Sequence, residues 1–218
     1  MRSLEELMNV QDPVWPTLHE YFVTSGATIL PTSPEQGQHA LWLLQMPADT
    51  LLGAIALNTG GIVADNGWFR LYGGGSDYLP SVAWVNGFSD NNPQTAPPGA
   101  LHVGHDVLGG RFAIDGGALG VQPGEICYFG LDTLQWEGLD AGHNQFISAL
   151  VQGQLGGMFE NLRWSGWETE VARLAPNQGL SVYPALWADE GKEIGESSRR
   201  IVPIEELLTI TRPETDGA

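Results

Sequence analysis

The stretch LLGAIALNTGGIVADNGWFRLYGG, residues 51–74, gives the clearest indication of the fold. Its apolar runs LLGAIALN, GIVAD and GWFRLYGG each have the length of a short β-strand. The segments Asn58-Thr59-Gly60-Gly61 and Asp65-Asn66-Gly67 separate these runs, and both contain residues that tolerate the positive φ angles of tight hairpins. The pattern predicts three successive strands in an antiparallel meander.

A second group of apolar runs predicts that the sheet continues. GGRFAIDGG, GEICYFG and DTLQWEG follow one another, with turns at Gly116-Gly117 and Pro123-Gly124. Residues 76–104, between the two groups, contain SDNNPQTAPPG and are predicted to form a long loop with a short ordered segment at SVAWVNGF. The middle of the chain is therefore expected to be mainly β-structure.

Helix signals lie on both sides of this β-rich region. Ser3 and Glu6 fit a capping box, whereas Asp12-Pro13 and Ser33-Pro34 each place a proline directly after an N-cap residue. HNQFISALVQG is also predicted to be helical, and RRIVP is predicted to be a last strand that leads into the helix IEELLTI. The ends of the chain thus contribute the helices of the fold.

Together these elements predict an α+β protein. We expect N-terminal helices packed on a mostly antiparallel central sheet, followed by a C-terminal strand and helix. The length favours a single domain over residues 1–218, in which residues 212–218 form a frayed tail.

Composition excludes several classes of function. The chain has 26 acidic and 9 basic residues, a formal net charge of −17, so no nucleic-acid partner is expected. Its apolar stretches are shorter than a bilayer requires, and it opens without the apolar region of a signal peptide, so no membrane partner is expected. The single cysteine, Cys127, cannot form an intramolecular disulfide, and a reducing cytoplasm is the predicted location.

The polar residues most suited to chemistry lie in LHVGHD, which contains His102, His105 and Asp106. This string could supply two nitrogens and an oxygen to a metal, with His143 as a further ligand. Two histidines three residues apart on a glycine-containing loop do not make a rigid pair of metal ligands. Structural roles are therefore favoured for these histidines. We therefore predict no metal, no cofactor and no catalytic residue, with the His102, His105 and Asp106 cluster kept as an alternative.

The charge and the aromatic residues instead suggest a protein partner. No Lys or Arg occurs between Arg2 and Arg70, or between Arg70 and Arg111, so an acidic surface could steer a basic protein towards it. The candidate partner-binding residues combine one tryptophan expected to be exposed with four acidic side chains: Trp84, Asp90, Asp132, Glu137 and Asp140. The same charge pattern also fits a surface that only promotes solubility.

Two resemblances add to this interpretation. The strings GGIVADNGWFRLYGGG, VGHDVLGGRFAIDGGALG, GEICYFGLDTLQWEGL and RRIVPIEELL resemble a bacterial family catalogued only as a domain of unknown function, which implies no reaction. Residues 50–155, with FAIDGG, GEICYF, DTLQW and the helix HNQFISALVQG, are similar to the SUKH superfamily. That resemblance implies an α+β fold with a mostly antiparallel sheet and, for many bacterial members, an immunity protein that neutralises a toxin.

The leading hypothesis is a non-enzymatic cytoplasmic protein-binding domain of the immunity type, whose acidic face with aromatic anchors occludes a basic toxin. A metal-dependent enzyme that uses His102, His105 and Asp106 is the second hypothesis. The third is a structural homo-oligomer, which would need a symmetric apolar interface.

Overall fold

The computed structural model describes residues 1–211. Its α-helices in chain order are α1 Leu4–Met8, α2 Trp15–Thr24, α3 Pro34–Leu44, α4 Leu51–Asn58, α5 Val82–Val85, α6 His143–Val151, α7 Trp167–Val171 and α8 Ile204–Leu208. Two 3₁₀ helices span Gly156–Leu162 and Asp189–Gly191. The strands are β1 Thr28–Leu30, β2 Gly61–Ala64, β3 Phe69–Tyr72, β4 Ala100–Asp106, β5 Arg111–Asp115, β6 Glu125–Gly130, β7 Gln135–Gly142, β8 Gln178–Tyr183 and β9 Ser198–Pro203.

The strands confirm the predicted α+β class. β1 to β7 form one sheet in which each strand pairs antiparallel with its neighbour in the chain, so the sheet order equals the chain order. β8 and β9 form a separate antiparallel pair, and α8 follows it directly. The central meander, the N-terminal helices and the C-terminal strand with its helix are all present.

The run LLGAIALN is a helix and not the predicted strand. Thr50 caps α4, since its side-chain oxygen accepts a hydrogen bond of 3.1 Å from the backbone N–H of Gly53. Residues 52–56 are all buried, so the helix is apolar on every side and shows no helical alternation of polar and apolar residues. A short run that is entirely apolar fits a buried helix as well as a strand, which explains the wrong prediction.

The start of α2 also differs from the prediction. Asp12 does not cap the helix, because α2 begins at Trp15 with Val14 in the N-cap position and Pro16 in its first turn. The capping box of α1 at Ser3 and the N-cap of α3 at Ser33 are present as predicted, and Ser33 also forms a capping box with Gln36.

The segment predicted as a loop over residues 76–104 is shorter and more ordered. It contains α5, which Ser81 caps by accepting a hydrogen bond from the backbone N–H of Trp84. Its last residues, 100–104, belong to β4, and the string LHVGHD therefore lies on a strand and not on a loop. The predicted tail, 212–218, lies outside the described residues.

The two faces of the large sheet differ in character. One face carries an aromatic cluster in which Phe112 contacts Phe69, Tyr128, Phe146 and Phe159 at centroid distances of 5.0 to 6.1 Å. The other face includes buried polar side chains from β3 and β4, among them Arg70 and His105. Across residues 1–211, no helix combines the length and the hydropathy that crossing a membrane would require.

Candidate functional site

A large groove lies between α2 and α6. The segment Asp49–Leu51, which leads into α4, forms its third side, and the cavity has a volume of about 1270 Å³. Leu18 of α2 and Ile147 of α6 line it, and both belong to the main hydrophobic core. The groove therefore rests directly on the core of the protein.

The amphipathic character of the two helices creates the groove. On α2, Leu18 and Phe22 face the core, whereas Tyr21 lies beside them and keeps 56% of its surface exposed. On α6, Ile147 is buried and Ser148 is exposed, so one turn of helix supplies both floor and rim. Apolar side chains line the bottom of the groove and hydroxyl and amide groups line its upper edge.

The rim of the groove is acidic. Asp12 and Asp49 are exposed and line it, and no Lys or Arg is among the lining residues. The lack of cations extends far beyond the groove, because no Lys or Arg between residues 3 and 162 is exposed. Neither of the two arginines in this range is exposed. Arg70 is fully buried, and Arg111 donates hydrogen bonds to the backbone carbonyls of Leu208 and Ile210.

The same part of the chain carries many exposed carboxylates. They occur on helices, turns and the edge strand β7, and none of them faces an exposed Lys or Arg from within this range. The exposed acidic residues between 3 and 162 are Glu5, Glu6, Asp12, Glu20, Glu35, Asp49, Asp77, Asp90, Asp132, Glu137, Asp140 and Glu160. The exposed cations that the structure describes are Arg2 and residues near the C-terminal strand pair: Arg173, Lys192 and Arg200.

Two of the sequence-predicted partner residues lie close to α3. Trp84 is 71% exposed, and it lines a small recess of about 310 Å³ together with His39 of α3. Nε2 of His39 is 2.6 Å from Oδ1 of Asp90, and both side chains are exposed. The structure thus places Trp84 and Asp90 next to the same histidine.

The other three partner candidates lie on the hairpin of β6 and β7. Asp132 is in its turn, and Glu137 lies on the edge strand β7, opposite Tyr128. Asp140 has a positive φ of 51°, and its backbone N–H donates a hydrogen bond to the side chain of Glu125. All three carboxylates are exposed, and none of them lines the groove between α2 and α6.

Sequence reasoning did not find the groove. The sequence places Val14, Leu18, Tyr21 and Phe22 at helical spacing, so they share one apolar face of α2. The available signal for the groove was the width of this apolar face. Packing against one neighbouring element covers only part of a wide apolar face, so the rest stays exposed. The two carboxylates on the rim come from positions far apart in the chain, and only the fold brings them together.

The histidines of LHVGHD do not form a ligand set with Asp106. His105 and Asp106 are adjacent on β4 and point to opposite faces of the sheet, and the Asp106 carboxylate accepts hydrogen bonds from Leu108, Gly110 and Tyr128. Within residues 1–211, no three His, Cys, Asp or Glu side chains lie close enough together to hold a metal ion. The geometry gives the metal hypothesis no support.

Burial controls the protonation of these histidines. It lowers the pKa of His105 to about 3 and that of His143 to about 4, and in His105 the nearby charge of Arg70 adds to the effect. The pKa of His102 is lowered as well, by burial and then by Arg111. All three imidazoles are therefore neutral at physiological pH.

Comparison with known proteins places the chain among uncharacterised relatives. A family described as "Protein of unknown function DUF2625" matches residues 4–207. The uncharacterized protein YbfG of Escherichia coli (strain K12) is 32% identical over 211 residues, which are 95% of this chain and 94% of that protein. An uncharacterized protein of Haemophilus influenzae is 30% identical over 208 residues, 94% of this chain and 91% of that protein. No solved structure matches the chain.

Proposed function

The chain belongs to the DUF2625 family, whose description assigns no function. From the surface of the protein we propose that it is a non-enzymatic cytoplasmic protein that binds a basic protein partner. The partner inserts an amphipathic helix with a basic polar face into the groove between α2 and α6. The observation that carries this proposal is a groove with an apolar floor and an acidic rim that contains no Lys or Arg.

The size of the groove favours a segment of protein chain. Pockets for small molecules have volumes of roughly 300–1,000 Å³, and this one is about 1270 Å³. Two helices form its long walls, which is the arrangement that receives a third helix through side chains at positions i, i+3, i+4 and i+7. Burying such a face against Leu18 and Ile147 would extend the existing core.

Charge selects the partner. Asp12 and Asp49 can pair with Lys or Arg on the polar face of an inserted helix, and the wider acidic surface attracts such a partner over longer distances. Rim charges mainly change the association rate and its salt dependence, whereas the apolar floor supplies most of the affinity. Binding should therefore weaken with added salt without disappearing.

The residues around Trp84 and along β7 give a larger partner additional contacts. Trp84 and Asp90 both lie beside His39, and the exposed residues Asp132, Glu137 and Asp140 are spread along the hairpin of β6 and β7. In its narrower form, suggested by the resemblance to the SUKH superfamily, the proposal is that the partner is a basic toxin such as a nuclease. The acidic face would then cover the positive groove with which the toxin binds phosphate.

A designed helical peptide tests the groove directly. The probe carries Leu at positions i, i+3, i+4 and i+7 and Lys or Arg on its other face, and a scrambled peptide of the same composition is its control. Fluorescence anisotropy should show saturable binding of the patterned peptide only. Equal binding of both peptides would mean that charge alone is recognised, and would contradict the proposed groove.

Matched variants separate the two parts of the recognition. Ser148→Trp fills the groove from an exposed position of α6 and should weaken binding by more than about tenfold, whereas Thr169→Trp, exposed on α7, should leave it unchanged. Asp12→Asn with Asp49→Asn should lower affinity a few-fold and reduce its salt dependence. The double variant Glu193→Gln and Glu196→Gln removes the same charge away from the groove and is the control.

The toxin form of the proposal needs a natural partner. Wild-type protein and the Ser148→Trp variant serve as parallel baits in lysate of cells that encode this chain. The activity of each captured protein is then assayed. A basic protein that the wild type retains, that the variant loses and that is inhibited in the complex supports this form. Capture by both baits to the same extent contradicts it.

A further inference from the structure

Three polar residues form a row across neighbouring strands of the large sheet. Arg70 on β3 pairs with His105 on β4, and His105 pairs in turn with Arg111 on β5. Cross-strand partners project to the same face, with Cβ atoms about 4.5–5.5 Å apart. Arg70 and His105 are 0% and 1% exposed, whereas Arg111 is half-buried, so the row runs from the interior towards the surface at β5.

Four nitrogen atoms of the row have no hydrogen-bond partner among residues 1–211. They are Nε and Nη2 of Arg70, Nε2 of His105 and Nε of Arg111, and all four are buried. The remaining contact of the Arg70 guanidinium is long, 3.4 Å from Nη1 to the backbone carbonyl of Trp68. Buried donors without acceptors are costly and rare in folded proteins, so several in one row make it a candidate for binding a group that supplies acceptors.

The row is also short of negative charge. Neither guanidinium has a carboxylate within 4 Å in the part of the chain that the structure describes. Burial lowers the pKa of Arg70 to about 10, and the charge of Asp106 only partly opposes this shift. Asp106 projects from the opposite face, where its oxygens already accept three hydrogen bonds. Glu205 acts through space on Tyr72 and is itself exposed. One fully buried guanidinium, that of Arg70, and one half-buried guanidinium, that of Arg111, therefore have no carboxylate in direct contact within residues 1–211.

The hydroxyl of Tyr72 determines what His105 can offer. Its oxygen is 2.9 Å from Nδ1 of His105. When the hydroxyl donates to Nδ1, the neutral imidazole keeps its proton on Nε2, which makes Nε2 a donor. The row then presents N–H groups from two guanidiniums and one imidazole, and no acceptor.

We propose that the row Arg70–His105–Arg111 is a binding site for one small oxyanion. A phosphate, sulfate or carboxylate group offers several acceptor oxygens on one centre, and guanidinium donors match that geometry better than any other side chain. One negative charge would balance the excess positive charge of the row. Arg111 also joins the site to the end of α8, since Nη1 and Nη2 donate to the carbonyls of Leu208 and Ile210 at 3.2 and 3.1 Å.

Thermal unfolding of the full chain in different sodium salts tests the site. Phosphate, sulfate, acetate and chloride are compared at equal ionic strength, so that the screening of surface charges is the same in each series. A ligand of the folded state raises Tm with the logarithm of its concentration. The expected result is such a rise for phosphate and sulfate or for acetate, which also identifies the class of oxyanion, and a smaller rise for chloride.

A comparison of two matched variants distinguishes anion binding at the row from the general effect of salts on stability. Arg111→Gln takes one guanidinium from the row, and Arg173→Gln takes an exposed arginine from elsewhere. The first should lower the apparent affinity for the oxyanion about tenfold, because a hydrogen bond to a charged group is lost. The second should respond to each salt as the wild type does. The same response in both variants would overturn the proposal.

A second measurement does not depend on the stability of a variant. Phosphate, sulfate and acetate are titrated in turn into wild-type protein labelled with ¹⁵N, and the Nε–H signals of Arg70 and Arg111 and the Nε2 signal of His105 are followed. Saturable shifts confined to these groups support the site. If no salt shifts these signals, the row holds water and the proposal fails.

Discussion

The hydroxyl of Tyr128 on β6 donates a hydrogen bond of 2.6 Å to Oδ2 of Asp106 at the end of β4. Asp106 is fully buried, and its Oδ1 accepts from the backbone N–H groups of Leu108 and Gly110 at 2.8 and 2.9 Å. The carboxylate thus connects the turn between β4 and β5 to strand β6. Burial raises the pKa of Asp106, and these three hydrogen bonds oppose that rise.

Tyr128→Phe should destabilise the protein by about 1–3 kcal/mol, because a buried carboxylate loses a donor that nothing replaces. The ring and its packing against Phe112 and Phe159 remain. Urea unfolding followed by tryptophan fluorescence measures the change. Tyr183→Phe removes a hydroxyl from a ring that is 76% exposed and should leave stability unchanged. Equal stability of both variants would show that the contact with Asp106 contributes nothing.

Stability should fall as the pH is lowered below about 6.5, because His105 resists protonation in the folded state. Burial lowers its pKa to about 3, so between pH 6.5 and 3 the unfolded chain binds a proton that the folded protein does not. This costs up to about 1.4 kcal/mol of unfolding free energy per pH unit. His143 and His102 act with the same sign, whereas the raised pKa of Asp106 acts with the opposite sign.

His105→Asn tests this assignment, since the amide can keep the contact with Tyr72 and cannot be protonated. Unfolding free energies are compared between about pH 7 and about pH 5, above the range in which carboxylates dominate. The variant should show a smaller loss of stability over this range than the wild type. His19→Asn, at an exposed position, is the control. An unchanged pH dependence in His105→Asn would rule out His105 as a source of acid sensitivity.

Gly37 on α3 should not tolerate a side chain. A Cβ there would collide with the backbone carbonyl of Leu57 on α4, because the two helices pack with almost no space between them. Gly37→Ala should therefore destabilise the protein by about 1–3 kcal/mol, as overpacking does. Gly157→Ala is the control, because its Cβ would meet no atom within 4 Å. If both variants unfold at the same temperature, the helices can separate without cost.

The meander could be predicted from sequence because its signals are local. Each strand is a short apolar run, and residues with positive φ, such as Asp65, Asn66 and Gly67, separate β2 from β3. α4 could not be predicted in the same way, since burial on all sides removes the alternation that distinguishes a helix from a strand. Its N-cap, Thr50, is the one local feature in this stretch that is typical of a helix start.

Neither the groove nor the polar row could be predicted, because both depend on how distant segments pack. Asp12 and Asp49 line the same groove only because the segments that lead into α2 and α4 both lie beside α6 in the folded chain. Arg70, with its charge in the interior, looks in the sequence like any other basic residue, and only the register with His105 reveals its unpartnered donors. The exposure of Trp84, 71%, could be predicted because it lies in the proline-rich segment that was expected to be a loop, and loops run over the protein surface.

Arg163 should hold the C-terminal part of the chain against the sheet. Its guanidinium lies 4.7 Å from the ring centre of Trp68 and 4.1 Å from that of Trp167, and Nη2 forms an ion pair with Asp65 in the turn between β2 and β3. The guanidinium is largely shielded from water, so both interactions are stronger than at the surface. Arg163→Met keeps the length of the side chain and should lower the unfolding free energy by about 1–3 kcal/mol.

A double-mutant cycle with Asp65→Asn separates the ion pair from the aromatic contacts. Asp65 has a positive φ of 50°, a conformation that Asn also adopts readily, so this change removes the charge without straining the turn. The coupling between the two positions should be about 0.5–2 kcal/mol. Lys192 and Asp189 form an exposed pair at 2.6 Å and should show no measurable coupling. Equal coupling in the two pairs would mean that the indole rings of Trp68 and Trp167 do not strengthen the interaction of Arg163 with Asp65.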